Sequence, residues 1–198
     1  MKISMIMTVH NAEGYMRKAL DSIRAQRYRD YELICVCDSC KDRSEEIAME
    51  YGATVIPVNY GLAGPSRNKG LEVATGDWVM FMDDDDWLLH EYVFPLVDGM
   101  AGAHGEDILM CSFIWKGVGY ASQTPERIFA AVWNKVWRRE FIGDTRFSDK
   151  PYGDDADFHE EMMRKNPNIH FWDMPIYYYN YMRPGSLSDL INQGKLKP

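Results

Sequence analysis

The chain has 198 residues, with 22 Lys+Arg against 30 Asp+Glu, a formal net charge of −8 and a sequence pI near 5.1. At 46% hydrophobic and 26% charged residues, its composition excludes a disordered chain, a coiled coil and a collagen-like fibre. The acidic balance, with no basic run, argues against gripping a polyanion by its phosphates, so no strong nucleic-acid binding is expected.

In chain order, residues 2–9 are apolar and strand-like. Polar Thr8, His10 and Asn11 arrive where a signal peptide would extend its apolar core, so this start reads as the first strand of a cytoplasmic protein. Asn11 reads as the N-cap of a helix whose apolar positions Ala12, Tyr15, Met16, Ala19, Leu20 and Ile23 follow i, i+3, i+4 spacing. Strand then helix is the unit of a parallel sheet. Residues 31–37 form a second apolar strand. Asp42 and Glu45 make a capping-box start for a helix that carries Ile47, Ala48 and Tyr51 and stops at Gly52. Residues 54–58 are a third strand, and Pro65 fits the first turn of a helix running through Leu71 and Ala74. Residues 77–82 are a fourth strand. Beyond it, the pattern predicts a helix over 88–103, a strand over 108–115, a loop over 117–125, helices over 133–142 and 154–165, and an aromatic strand over 176–182. Residues 186–198 read as a polar, poorly ordered tail. No segment approaches the ~18 to 20 apolar residues that span a bilayer.

Cys37 and Cys40 form a C-x-x-C, but no second pair or matched histidines accompany it, so they read as reduced cysteines at the end of a buried strand. His159 and His170, without partners in the sequence, read as structural. The most informative feature is Asp83-Asp84-Asp85-Asp86, directly after an apolar strand. Four adjacent carboxylates repel one another, so a fold keeps them together when they are solvated or share a cation. Phe81-Met82 before the run and Trp87-Leu88-Leu89 after it pin it between buried elements, and the carboxyl ends of parallel strands are where ligands bind. A hard divalent ion held by one or two carboxylates and substrate phosphate oxygens is the site this pattern implies.

Five segments then occur in a telling order: Thr8-Val9-His10-Asn11-Ala12, Leu20-Asp21-Ser22-Ile23 with Gln26, Cys35-Val36-Cys37-Asp38-Ser39, Gly64-Pro65-Ser66-Arg67-Asn68-Lys69-Gly70-Leu71, and Gly76-Asp77-Trp78 through Asp86-Trp87. With them, residues 3–92 resemble an inverting family 2 glycosyltransferase of the GT-A fold. Trp133-Asn134-Lys135-Val136-Trp137-Arg138-Arg139, Gly153-Asp154-Asp155-Ala156-Asp157-Phe158, and Pro175-Ile176-Tyr177-Tyr178-Tyr179 through Pro184-Gly185-Ser186-Leu187 extend the resemblance to almost the whole chain. It implies an α/β, Rossmann-like nucleotide-diphosphosugar transferase fold with a mostly parallel central sheet flanked by helices. A single domain over 1–198 is expected, with a nucleotide-sugar half (1–87), an acceptor-side half (88–185) and the tail (186–198).

The resemblance also implies roles. Asp85 and Asp83 would bind a divalent metal, Mn²⁺ or Mg²⁺, and Asp83 and Asp84 would contact the nucleotide sugar. Asp38 matches the aspartate that reads the nucleobase, by accepting from uracil N3–H. Thr8, His10 and Asn11 would line the base and ribose pocket, Arg67 would lie near the nucleotide, and Trp87 beside the site. The catalytic base falls in Asp154-Asp155, by position Asp155, with Asp154 as the fallback. Inversion needs one carboxylate to take the acceptor's hydroxyl proton as that oxygen attacks the anomeric carbon opposite the leaving phosphate. Acids favoured by a helix dipole would occupy the same positions. Cys37 stands where an acid is common and Ser39-Cys40 replace the usual Gly-Ser, which leaves Asp38 to act alone. The expected partners are a UDP-sugar and a hydroxyl acceptor such as a glycan, in polysaccharide biosynthesis. There is room for a homo-oligomer and for peripheral membrane contact through exposed aromatics or Lys195 and Lys197. The alternatives are a catalytically inactive nucleotide-sugar binding protein and a nucleotidyltransferase.

Overall fold

The computed structural model describes residues 1–195. Its first part alternates strand and helix: β1 (Ile3–Val9), α1 (Met16–Arg24), β2 (Tyr31–Asp38), α2 (Ser44–Glu50), β3 (Thr54–Val58), α3 (Ala63–Val73) and β4 (Trp78–Asp83). Then come β5 (Trp87–Leu88), α4 (Val93–Met100), β6 (Ile108–Trp115), β7 (Gly119–Ala121), β8 (Lys135–Arg138), α5 (Arg139–Ile142), α6 (Asp154–Arg164), β9 (Ile169–Tyr179) and α7 (Leu187–Asn192). One sheet runs β3-β2-β1-β4-β8-β6-β9-β5, with β7 on the side of β6. The pairs linking β3, β2, β1 and β4 are parallel, but β8 runs antiparallel to both β4 and β6. The sheet is therefore mixed, with β3-β2-β1-β4 and the β6–β9 pair parallel.

β1 is apolar along most of its length because both faces of the sheet are covered. Ile3, Met5, Met7 and Val9 belong to a core with Met16, Leu20 and Ile23 of α1 and Phe94 of α4, whereas Ile6 belongs to a second core with Leu71 of α3 and Phe158 and Met162 of α6. This is the two-residue alternation of a strand written into two layers. Glycines set how closely α3 lies on the sheet. A Cβ at Gly70 would collide with the Ile6 side chain, and one at Gly64 would collide with the Ser148 carbonyl and press on Asp154. α3 thus brings its Arg67 against the start of α6.

Several elements differ from the sequence pattern. α1 begins at Met16, and Asn11 is not its cap: Asn11 turns the chain with φ 49°, and its Oδ1 accepts from the Lys41 N–H at 2.8 Å. Asp42 accepts from the N–H groups of Ser44 and Glu13 without a reciprocal bond from Glu45. The span 88–103 holds β5 and only the eight residues of α4, and 117–125 contains β7, hairpinned onto β6. The span 133–142 enters as β8, because Lys135, Val136 and Trp137 are all buried in the sheet and a short two-sided apolar run carries no helical period. β9 starts at Ile169, ahead of its aromatic part. Within the expected tail, Leu187–Asn192 is helical, and the Ser186 hydroxyl accepts from the Asp189 N–H. Lys197 lies outside the described residues. Among the described residues no helix is long and apolar enough to cross a membrane.

Candidate active site

Because β1, β2 and β4 are parallel, their carboxyl ends share one edge, and a cavity of about 710 Å³ opens there. Thr8, His10, Asp38, Arg67, Asp83, Asp84 and Asp85 reach it from these strands and α3, and Asp154 and Asp155 reach it from the start of α6. Asn11 and Trp87 do not line it. Trp87 lies stacked on Tyr178 at 4.0 Å between ring centroids, with the Lys18 ammonium 3.1 Å over its face, so its apolar surface is spent on the fold.

The four consecutive aspartates do not share one cation. The turn after β4 sends each carboxylate a different way. Asp83 Oδ1 accepts from Arg67 Nη2 at 3.0 Å, Asp84 Oδ2 from the His10 N–H at 2.9 Å, and Asp85 Oδ2 from Arg183 Nε at 2.6 Å. Asp86 faces inward and is fully buried, accepting from the Tyr177 hydroxyl and the Asn180 N–H, each at 2.7 Å. The same Tyr177 oxygen accepts the Asp83 N–H at 3.2 Å. Asp86 and Tyr177 therefore fix the backbone that presents the other three acids. Burial, reinforced by the neighbouring carboxylates, pushes the Asp84, Asp85 and Asp86 carboxyls above the usual range.

Arg67 joins this edge to the far side of the cavity. It is 6% exposed, and its Nη1 donates to Asp154 Oδ2 and Asp155 Oδ1, both at 2.6 Å. Burial works against its charge, but Asp155, Asp83 and Asp154 more than offset that. Three carboxylates therefore occupy the Arg67 guanidinium. Burial raises the Asp154 carboxyl and pushes that of Asp155 up to about 6, with Arg67 pulling the other way. Asp155 keeps 24% of its side chain exposed against 12% for Asp154, and its Oδ2 has one donor, the Val132 N–H at 3.4 Å.

Asp38 lies at the cavity with its carboxylate well served. Its Oδ1 accepts from the N–H groups of Tyr60 and Gly61 and the Ser39 hydroxyl, and its Oδ2 from the Leu62 N–H and the Ser66 hydroxyl. Against the cost of burial, these donors hold the carboxyl below the usual range. Three of these donors are backbone N–H groups of residues 60–62, so the carboxylate anchors the entry to α3 from the wall of the cavity. Cys40 turns away from metal chemistry as well, its thiol donating to the Val9 carbonyl at 3.4 Å.

The donor chemistry suits a hard cation of a particular kind. Among the described residues no group of three or more His, Cys, Asp or Glu side chains is placed to hold a metal alone. Asp83 Oδ2 and Asp85 Oδ1 carry no hydrogen bond among the described residues, and the Arg183 guanidinium on Asp85 is a positive charge already seated there. Hard carboxylate oxygens of this kind are what a divalent ion takes when ligand oxygens complete its shell. Sequence reasoning missed Arg183, Tyr177 and Asp86 as a group. The one available signal was a cation next to Pro184-Gly185 after an aromatic strand.

A profile of the family described as Glycosyl transferase family 2 matches residues 4–172. The chain belongs to glycosyltransferase family 2. The matched span of this family 2 chain runs from β1 through α6, so it contains every site residue expected from the sequence, whereas Arg183 lies beyond it. The chain is 28% identical, over 220 aligned residues, to Glycosyltransferase GlyA of Streptococcus pneumoniae, covering 94% of this chain and 31% of that protein. It is 30% identical to the putative glycosyltransferase EpsH of Bacillus subtilis, covering 74% of this chain and 49% of the relative. The chain thus spans half or less of these two curated relatives. The structure of S. aureus TarS 1-349, solved with UDP-GlcNAc, superposes with a TM-score of 0.82 at 21% identity, over 96% of this chain and 61% of that one. That likeness places this family 2 chain in the GT-A fold.

Proposed function

We propose that this chain is the catalytic region of an inverting, metal-assisted glycosyltransferase that moves a sugar from a UDP-sugar to a hydroxyl acceptor such as a glycan. The observation that carries the reading is the Arg67 bridge, which holds Asp83 at the end of β4 and Asp154 and Asp155 at the start of α6 around one cavity. Donor-side and acceptor-side carboxylates thereby stand in fixed register. Asp155 takes the proton from the acceptor hydroxyl as that oxygen bonds to the anomeric carbon and the bond from that carbon to the diphosphate breaks. Its exposed edge and a pKa pushed up to about 6 suit a base that is ionised yet proton-hungry near neutrality. Arg67 keeps that carboxylate charged and oriented, and Asp154, the more enclosed of the pair, braces Arg67. Asp85 and Asp83 would hold a divalent cation, Mn²⁺ or Mg²⁺. When bound, that cation supplies positive charge to the departing diphosphate. UDP as the carrier is supported by the solved relatives: TarS was crystallised with UDP-GlcNAc, and glucosyl-3-phosphoglycerate synthase from Mycobacterium tuberculosis with Mn²⁺ and UDP.

The test is a thermal-shift series with UDP, GDP, CDP and ADP, each with and without Mn²⁺, followed by UDP release from UDP-glucose and UDP-GlcNAc. Ligand binding raises the melting temperature by mass action, and UDP with Mn²⁺ is expected to raise it most. Metal-free UDP should bind weakly against Asp83, Asp84 and Asp85. No response to any nucleoside diphosphate overturns the reading, and binding without turnover reduces it to a nucleotide-sugar binding protein.

A further inference from the structure

We propose that Lys135 is a positioning residue for the acceptor side of the cleft, its ammonium fixing the 129–134 turn that offers the Val132 N–H to Asp155 and the Phe129 and Trp133 rings to the cavity wall. The inference rests on the reading of Asp155 as the base. Lys135 opens β8 and is fully buried, although nothing in a sheet interior calls for a cation. Its Nζ donates to the carbonyl oxygens of Phe129 at 2.6 Å and Ala131 at 2.5 Å, and to Asn134 Oδ1 at 2.9 Å. Three acceptors match the three N–H bonds of an ammonium, and a neutral amine would leave one unserved. All three acceptors belong to the turn that precedes the lysine, so the chain wraps its own cation before entering the sheet. The products of that wrapping face the site: Phe129, Ala131 and Trp133 line the cavity, and the Val132 N–H reaches Asp155 Oδ2.

The charges around this pair can be named from each packed element. Lys135 meets Asp155 and His159 of α6 and Cys111 of β6. Asp155 meets Arg67 of α3, Asp154 of its own helix and Asp83 of β4 as well. Burial pushes Lys135 down to about 7 while the Asp155 carboxylate supports its charge. Burial and Lys135 push His159 down to about 4, so the imidazole is neutral near pH 7 and its Nδ1 has no partner among the described residues. Lys135 is thus a second positive charge on the Asp155 side of the cleft, beside the directly bonded Arg67.

Two variants test this. Lys135→Met removes the cation, and Lys135→Gln, whose neutral amide offers two N–H bonds for three acceptors, carries the test if K135M does not fold. UDP affinity is measured with Mn²⁺, and UDP release from UDP-glucose and UDP-GlcNAc is followed from about pH 5 to 9. Both variants are expected to bind UDP within about twofold of the unaltered chain and to release it at least about tenfold more slowly, because the donor half is untouched while the acceptor side loses its register. Their acid limb moves to higher pH, since a carboxylate that loses a neighbouring positive charge is easier to protonate. The Asp155 carboxyl, followed by carbon NMR and identified by its disappearance in Asp155→Asn, gives the same answer without turnover and should titrate about half a pH unit or more higher in K135Q. An unchanged rate, acid limb or Asp155 titration in a folded variant overturns the proposal, as does a loss of UDP affinity in step with the rate. Full activity in D155N would instead overturn the base assignment, so the two failures are told apart.

Discussion

At the amino ends of the parallel strands, Glu32 accepts from the Ser4 hydroxyl at 2.6 Å, the Thr75 N–H at 2.7 Å and Lys2 Nζ at 2.9 Å. At the carboxyl ends of the same strands, three of the aspartates after β4 and the two at the start of α6 share two guanidinium groups and a few N–H donors. Burial works against the charge in both places, and the outcomes are opposite. Glu32 is held down to about 2, because hydrogen bonds from Ser4, Lys2 and Thr75 outweigh the burial penalty. Asp84 and Asp85 are pushed up, and Asp155 is pushed up to about 6. One end of the sheet holds a carboxylate that stabilises the fold; the other holds carboxylates with fewer donors than their burial calls for.

The largest expected effect is at the under-served end. Asp155→Asn should slow UDP release by about 10²- to 10⁴-fold while leaving UDP affinity within about twofold. An activity loss below about fivefold would remove the base from this residue. Arg67→Met should cost about 3 to 5 kcal/mol in urea unfolding, because three carboxylates lose their common cation, and a cost under about 1 kcal/mol would show the bridge to be idle. At the satisfied end, Glu32→Gln should cost about 1 to 3 kcal/mol at neutral pH and leave UDP release unchanged. The pH dependences should run in opposite senses. Glu32 has a folded pKa below its ordinary value, so its contribution is present above the ordinary carboxylate range and is lost as pH falls toward about 2. Asp155 has a folded pKa above its ordinary value, so its stabilising contribution is present at low pH and lost as pH rises through about 6, the same range in which activity should appear. Denaturation midpoints of E32Q and D155N across pH read both slopes, and parallel slopes would erase the contrast. The smallest effect is expected from Trp87→Phe, about 0.5 to 1.5 kcal/mol from the weakened stack on Tyr178, with UDP release within about twofold.

Much of the first half of the chain was legible in the sequence. β1, β2, β3 and β4 are continuous apolar runs broken by helix signals, and such runs in alternation specify a parallel sheet with a ligand edge. The second half was less so. β8 is four residues long and buried, and its sequence carries no period that separates strand from helix; its neighbours β4 and β6 settle the matter. Trp87 and Asn11 were misjudged for a related reason. A sequence gives their positions next to the site but not the partners, Tyr178 and Lys41, that turn them from it.

The sequence by itself determined which groups are present: an acidic run at a strand end, a second acidic pair, and one arginine in a glycine-bounded helix. Tertiary structure decided what each oxygen does. Asp85 meets a guanidinium 98 positions away, Asp154 and Arg67 are 87 positions apart, and Asp86 is buried by a tyrosine 91 positions on. A carboxylate's reactivity follows from its donors and its burial, and both are set by segments that only the fold brings together.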